Sequence, residues 1–338
     1  DRPLATEIEQ AHQEAVADAL RAIEGTALYT RVGAGGVRQV DVRGLIGAAF
    51  AHRDSRAGDP DLHTHVAIAN KVQEAETGRW YAIDGRVLLK AVVTISETYN
   101  TALERHLTER LGVRFADRPG PDGKRPVREI VGVEPALNER WSSRRQRIEA
   151  RRAVLAREFQ AAHGRPPSPT EAIGLAQQAT LETRDAKHSA RSEAQQRATW
   201  RAEALEVLGS ADALARMVAS AVGRADAVTF IPDEAWVEAA ARRVVGIVQG
   251  HRSTWQGWHL RAEALRQLRA ANVAGALVEA TADRVVAQAL ATHCVSLERP
   301  LASPDGRVVE PSEPAALRRA DGTSQYTVAG STLFTSSP

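Results

Sequence analysis

His52-Arg53-Asp54-Ser55-Arg56-Ala57-Gly58-Asp59-Pro60-Asp61-Leu62-His63-Thr64-His65-Val66 is the stretch on which the reading of this chain turns. Residues at i and i+2 of a strand point to one face. His63 and His65 can therefore approach one point if residues 62–70 are extended. The segment His65-Val66-Ala67-Ile68-Ala69-Asn70 is short, apolar and partly β-branched, which suits a buried strand. Residues 44–52 (GLIGAAFAH) read as a second apolar strand. The polar link between them carries Gly58 and Asp59-Pro60, both turn signals. An antiparallel return through that link sets His52 beside His63 and His65. Three imidazoles then face one point, with a fourth coordination position left open, the layout of a metal site that admits substrate. A His-x-His pair alone also suits two polar strand residues, one of them solvated. The other histidines (His12, His106, His163, His188, His251, His259 and His293) are scattered and read as surface or structural residues.

Outward from the histidines, two periodicities alternate. Residues 5–24 place Ile8, Ala11, Ala15, Ala19, Leu20 and Ile23 at helical spacing. Residues 26–32 and 37–42 read as a hairpin around Gly33-Ala34-Gly35-Gly36. Residues 79–83 form another strand and 87–111 a long helix. Residues 113–116 and 127–133 suit a second hairpin around Pro119-Gly120-Pro121-Asp122-Gly123. This mixture predicts an α+β layer, an antiparallel sheet flanked by helices. From residue 134 onward the pattern is helical, over 134–162, 169–183 and 189–208. Pro169 stands at the first position of the second of these helices and Ser168 before it as cap. A boundary falls within residues 210–224. Beyond it, helices are expected at 232–249, 253–270 and 278–291, then strands at 295–297 and 325–328 flanking a loop with Pro300, Pro304, Pro311 and Pro314. Three helices and two strands suggest a winged-helix-like module. Trp255 and Trp258 read as core anchors in it rather than base-stacking platforms.

Composition narrows the class. At 338 residues about two domains are expected: residues 1–205 and a mostly helical module over 206–338. Only Lys71, Lys90, Lys124 and Lys187 are lysines among 44 basic residues, so cationic contacts fall to arginine, which matches phosphate as a planar fork. The net charge is only +2, and any nucleic-acid footprint must be a local patch. The helix over 134–162 concentrates arginine, with Arg144, Arg145, Arg147 and Arg151 placed to contact phosphates; a solvated face is the plainer account of the same charges. Arg53 and Arg56, in the link between the histidine strands, could reach the same ligand, or serve loop solubility and pair with Asp54 or Asp59. The single cysteine, Cys294, rules out an internal disulfide and a cysteine-based zinc cage. No apolar run approaches the roughly 18 residues that span a bilayer, and no secretory leader opens the sequence, so a cytoplasmic setting is expected. No Gly-x-x-x-x-Gly-Lys-[Ser/Thr] loop occurs.

The segment from His52 to Val66, with Tyr29-Thr30-Arg31 and Gly35-Gly36-Val37 before it, resembles the metal-site region of MobF-type (TrwC/TraI-like) conjugative relaxases of the HUH endonuclease class. Gly78-Arg79-Trp80-Tyr81-Ala82-Ile83-Asp84 is similar to the family's next strand, and Leu181-Glu182-Thr183-Arg184-Asp185-Ala186-Lys187 resembles its Thr-Arg-x-x-Lys segment. The resemblance covers residues 5–205 well and 225–337 more loosely. It implies a protein of plasmid transfer, acting on single-stranded DNA at an origin of transfer alongside the conjugation machinery. It also implies a divalent cation, Mg²⁺ or Mn²⁺, held by His52, His63 and His65; three nitrogens by intrinsic affinity would also take Zn²⁺. Such relaxases nick DNA by transesterification from a tyrosine near the N-terminus. Tyr29, Tyr81, Tyr99 and Tyr326 are the tyrosines here, and none stands at that position. The expectation is a truncated relaxase with its metal-binding half, without the nucleophile, its orienting acid or the helicase. Two alternatives remain: a non-catalytic DNA-binding protein on the same scaffold, and a metal-dependent DNA hydrolase.

Overall fold

The computed structural model describes residues 2–118, 125–186, 189, 191–223, 229–298 and 313–337. The expected turn at 119–123, Lys187, and Pro300, Pro304 and Pro311 lie outside them. The described elements run α1 (Arg2–Thr26), β1 (Tyr29–Val32), β2 (Arg38–Arg43), β3 (Gly47–Asp54), β4 (Pro60–Ile68), β5 (Val72–Glu74), β6 (Trp80–Tyr81), α2 (Gly85–Leu111), β7 (Phe115–Arg118) and β8 (Val127–Ile130). Then come α3 (Pro135–Arg140), α4 (Ser143–His163), α5 (Pro169–Glu182), α6 (Glu193–Leu208), α7 (Ala211–Ala221), α8 (Glu234–Gln249), α9 (Gly257–Ala270), α10 (Val278–Thr292), β9 (Cys294–Ser296) and β10 (Phe334–Ser336). The fold is α+β, as the alternating periodicities predict. Two compact units form: residues 1–48, 66–127 and 225–338 in one, and 49–65 and 128–224 in the other. These units follow packing and cut across the 1–205 and 206–338 division, which follows order along the chain.

In the first unit a four-stranded antiparallel sheet has the order β1-β2-β5-β6, with Tyr29 opposite Asp41, Val42 opposite Glu74 and Val72 opposite Tyr81. Helix α1 lies along α2. Ala11, Ala15 and Ala91 are almost fully buried, and such small residues let two helix axes approach closely. Asp84 caps α2 by accepting from the Arg86 amide, and its carboxylate also accepts from the Arg86 guanidinium and from Gln39 Nε2 at 2.8 Å. The Arg86 bonds, ahead of the Gln39 bond, hold the Asp84 carboxyl below its ordinary pKa. The far side of α2 receives α9, where Arg266 pairs with Glu97 at 2.7 Å and Arg269 with the same carboxylate.

Helices α8, α9 and α10 enclose Val237, Ala241, Val244, Trp255, Leu260, Ala264, Val285 and Ala289. Strands β9 and β10 pair antiparallel, Phe334 opposite Ser296. Three helices with a two-stranded ribbon are the elements of the expected winged-helix-like module, and Trp255 is a core anchor, 1 % exposed. Two boundaries move. The second strand lies at Phe334–Ser336 rather than 325–328. Gln325 and its neighbours are taken instead by a turn, with Thr327 N donating to Ser324 O and Gln325 O accepting from Gln39 N. Helix α9 starts at Gly257 rather than residue 253, because Trp255 and Phe334 exchange both backbone bonds, which holds residues before Gly257 extended.

The second unit is helical apart from part of the histidine strands and β8. The helix expected over 134–162 is two helices, α3 and α4. Its break falls at Trp141-Ser142, where Trp141 Nε1 donates to Glu203 Oε2 at 2.8 Å and Ser142 Oγ to Asn138 O. Leu155 and Ala179 bury the α4–α5 contact. Both α5 and α6 start in capping boxes, Ser168 with Glu171 and Ser192 with Gln195. A further helix, α7, occupies much of the expected boundary. Ser210 caps it, and its C-terminal end buries Ala221.

Candidate metal and nucleic-acid site

Strands β3 and β4 pair with each other as a two-stranded sheet. The link between them is too short for a crossover, so the return is antiparallel. Ser55 N donates to Asp59 O and Gly58 N to Ser55 O, both at 2.9 Å, closing the turn. The return places the His52 ring 5.3 Å from the His63 ring and 5.1 Å from the His65 ring, with His63 and His65 5.0 Å apart, centroid to centroid. Metal–nitrogen bonds of about 2.1 Å at tetrahedral angles set ring centres about 5 Å apart. The spacing therefore fits three imidazoles around one ion. Ring orientation does not yet complete the arrangement: His52 and His63 are nearly parallel, His65 is roughly perpendicular to both, and among the described residues no three His, Cys, Asp or Glu donors stand ready to hold an ion.

His63 is the best-defined member of the trio. Its Nδ1 lies 2.8 Å from Asp61 O. A carbonyl only accepts, so Nδ1 is the donor here; in the neutral ring Nε2 then keeps its lone pair, the tautomer that metal-binding histidines are commonly held in by a second partner. His52 and His65 are exposed and His63 is half-buried. The expectation that residues 65–70 form a buried strand is not met. On β3, Phe50 is 55 % exposed, because among the described residues no third strand pairs with this ribbon.

The turn that joins the two strands is held from outside, by residues the sequence reading passed over. Arg191 Nη2 donates to Asp54 Oδ2 at 3.0 Å and to Gly58 O at 3.2 Å. Trp200 Nε1 donates to the same Gly58 carbonyl at 2.9 Å, and Ser143 Oγ to Asp59 Oδ2 at 2.6 Å. Gly58 has φ +89°, which favours glycine, and a Cβ there would stand 3.1 Å from Arg191 Nη2 and make the guanidinium give by a few tenths of an ångström. The one visible hint in the sequence is a tryptophan midway along α6, flanked by Thr199 and Arg201.

The arginines expected to meet phosphate divide. Arg147 pairs with Asp185 at 2.7 Å, and Arg151 pairs with Glu182 and, at 3.5 Å, with Glu158. Arg151 depresses the Glu182 pKa, with Gln178 assisting. Arg53 lies 3.9 Å from Glu193, and Arg56 Nη1 donates to Asp185 O at 3.3 Å. Arg145 is exposed and forms no ion pair among the described residues, and Arg144 has a buried Nη1 with no hydrogen-bond partner among them. Both stand in the first turn of α4, where no acidic residue occurs and Ser142 provides no side-chain cap. Free amides and two cations thus meet at the positive end of a helix dipole, an arrangement suited to anions.

A family model described as TrwC relaxase matches residues 1–207. The multifunctional conjugation protein TraI of Escherichia coli is 44 % identical over 71 residues, which are 21 % of this chain and 4 % of that protein. A structure of TrwC complexed with a 27-mer DNA comprising the recognition hairpin and the cleavage site is 28 % identical, covering 60 % of this chain and 66 % of that one, with a TM-score of 0.47. A copper-bound structure of TrwC with oriT DNA is 30 % identical, covering 60 % and 63 %, with a TM-score of 0.48. The chain thus spans somewhat under two thirds of the length of these solved relaxases and a small part of TraI. Among the described residues no helix is long and apolar enough to cross a membrane.

Proposed function

This chain belongs to the TrwC relaxase family, and from that premise we propose that it binds a divalent cation through His52, His63 and His65 and single-stranded plasmid DNA at an origin of transfer. The observation that carries the reading is the convergence of three imidazole rings to spacings of 5.0–5.3 Å on one β-ribbon. The exposed rings of His52 and His65 turn about χ1 and χ2 to complete the donor set, while Asp61 O holds His63 with Nε2 free. Mg²⁺ or Mn²⁺ is the working ion we assign, and Zn²⁺ a competitor by nitrogen affinity. When bound, the ion supplies Lewis-acid polarisation of a DNA phosphate. The first turn of α4, with Arg144 and Arg145, takes backbone phosphate. Arg53, Arg56, Arg147 and Arg151 join it on exchanging carboxylate or carbonyl partners for phosphate oxygens. We place the protein in the bacterial cytoplasm, where plasmid DNA is met, with residues 1–205 as the relaxase part and 206–338 as the module that follows it.

None of the four tyrosines is assigned as nucleophile. The Tyr99 hydroxyl is bonded to His12 Nδ1 at 2.8 Å. Burial, with Asp321 adding to it, raises the Tyr29 pKa and disfavours the phenolate an attack requires. Tyr81 sits in β6 and Tyr326 in an exposed turn. The test is calorimetric titration with Mn²⁺, where one site per chain is expected and His63→Ala removes it. An origin-sequence oligonucleotide should bind without forming a covalent protein–DNA product. Absence of Mn²⁺ uptake, or DNA affinity that ignores both metal and His63, refutes the metal reading and favours a non-catalytic DNA-binding role. A covalent adduct refutes the tyrosine assignment.

A further inference from the structure

We propose that Arg191 and Trp200 are positioning residues for the histidine ribbon, fixing the turn whose shape sets His52 against His63 and His65. The inference rests on the metal reading above. It starts from an asymmetry in how the ribbon is supported. Residues 47–52 of β3 are all exposed, so core packing does little to hold that strand. The turn, by contrast, is bonded heavily. Its Gly58 carbonyl accepts from both Trp200 Nε1 and Arg191 Nη2, and its Asp59 carboxylate accepts from Ser143 Oγ. Arg191 reaches further, to the Asp54 carboxylate. Asp54 lies two residues after His52, hence on the same face of β3.

These bonds act on the ligand geometry through register. One end of β3 and the start of β4 are the two sides of this turn. A shift of the turn by a fraction of a residue changes the separation of His52 from the other two rings, and a slip of one residue turns His52 to the opposite face. Two donors from α6 and the segment before it converge on a single carbonyl at the apex, which both neutralises that oxygen and fixes its direction. Gly58 is shaped to the same purpose. Its positive φ aims the carbonyl at the donors, and the missing side chain leaves room for the guanidinium. Neither residue needs to touch the ion or DNA.

Trp200→Phe removes one donor and keeps the ring; Arg191→Met removes the fork; Arg191→Lys keeps a cation beside Asp54. Titration of the full chain with Mn²⁺ should give an affinity roughly tenfold weaker for Trp200→Phe and for Arg191→Met, in the range found for outer partners of metal ligands. Arg191→Lys should recover part of the loss. Absorption spectra of the Co²⁺-loaded forms should differ from wild type, and the melting temperature should change little. Without metal, amide exchange at Ser55 and Gly58 should accelerate in Trp200→Phe and Arg191→Met. Wild-type Mn²⁺ affinity and an unchanged Co²⁺ spectrum in both variants, with binding still lost in His63→Ala, overturn the proposal and leave the metal reading standing. If the wild-type chain takes up no Mn²⁺, the metal reading falls. The clamp is then judged on exchange alone, where faster rates support it and unchanged rates overturn it.

Discussion

Gln39→Leu tests how the sheet of the first unit is joined to the C-terminal segment. Gln39 is 2 % exposed. Its Nε2 donates to Asp84 Oδ2 at 2.8 Å, and its Oε1 accepts from Ala329 N at 2.6 Å. Leucine fills nearly the same volume and removes both groups. Losing a hydrogen bond to a charged partner costs about 1.5–3 kcal/mol, and leaving the buried Ala329 amide without an acceptor costs about 1–3 kcal/mol. The apolar side chain returns about 2 kcal/mol by burial. Asp84 keeps its bonds from Arg86, so no isolated charge is created. The net is about 0.5–4 kcal/mol of lost stability. For a folding unit of this size that lowers the melting midpoint by roughly 1–15 °C, with the middle of the range at about 6 °C. Scanning calorimetry reads the midpoint. Near-ultraviolet circular dichroism reads the packing of Trp258, which lies with Ala329 against Ala27, Val87 and Ala91. Gln39→Glu separates the two bonds: it keeps an acceptor for Ala329 N but sets a second carboxylate against Asp84, so it should be weak at pH 7 and recover on acidification. A Gln39→Leu protein within about 0.5 kcal/mol of wild type would show that the bridge adds nothing net and would refute the reasoning.

Three further outcomes follow from the same geometry. In salt titrations of single-stranded DNA binding, each phosphate contact carries a slope of about 0.7 in log K against log salt. Arg144→Ala with Arg145→Ala should lower the slope by about 1.4, while Arg151→Ala, whose guanidinium must first leave Glu182 and Glu158, should lower it by less than the roughly 0.7 of one full contact. The depressed pKa of Asp84 makes its contribution to stability fully present above the ordinary aspartate range and lost as pH falls through the lower folded value. Arg86→Ala should therefore be destabilised at pH 7, with its deficit against wild type in urea denaturation shrinking as pH falls below the ordinary aspartate range. Gly330 has φ +60°, and a Cβ there would run into the Trp258 indole. Gly330→Ala should cost about 2–4 kcal/mol, combining left-handed strain with overpacking, and a protein that melts like wild type would show that Trp258 moves aside freely.

What could be read from the sequence was what is local. The i, i+2 spacing of His63 and His65 and a polar link carrying Gly58 and Asp59-Pro60 are sufficient to predict the ribbon and its convergent rings. The Ser168 cap with Pro169 after it, and the apolar spacing along α1, predict those two helices within a few residues. The rest depends on distant partners. Trp200 and Arg191 lie more than 130 residues from the turn they bond, so nothing near Gly58 announces them. Counting charge along α4 overstates its free cations, because Glu182 and Asp185, from the end of α5 and just beyond it, come back to Arg151 and Arg147. Arg319, between Arg318 and Ala320-Asp321-Gly322, carries no local sign of burial in the sequence. Its side chain is 1 % exposed, donates to Thr327 O at 2.7 Å and lies over the Tyr29 ring. Such burial follows only from the path of the C-terminal segment across the sheet.

The exposure of β3 bears on where the rigidity of the candidate site originates. A two-stranded ribbon by itself is marginally stable in water, and Phe50 and Ile46 stay about half exposed, so side-chain packing supplies little restraint to this one. Yet three rings at near-equal spacing require the register to be held well inside one residue. Backbone pairing alone tolerates such slips when neither face is buried. The restraint must therefore enter at the ends of the ribbon. At the turn end it does so through polar groups, with the Gly58 carbonyl and the Asp54 and Asp59 carboxylates all committed to donors from the helical part of the same unit. Directional bonds restrain position more sharply than apolar contact does, and they leave the histidine face of the ribbon open to solvent. On the proposed reading a metal ion and a nucleic-acid strand both need that opening, and holding the turn while baring the strands would reconcile the ring spacing with access to it.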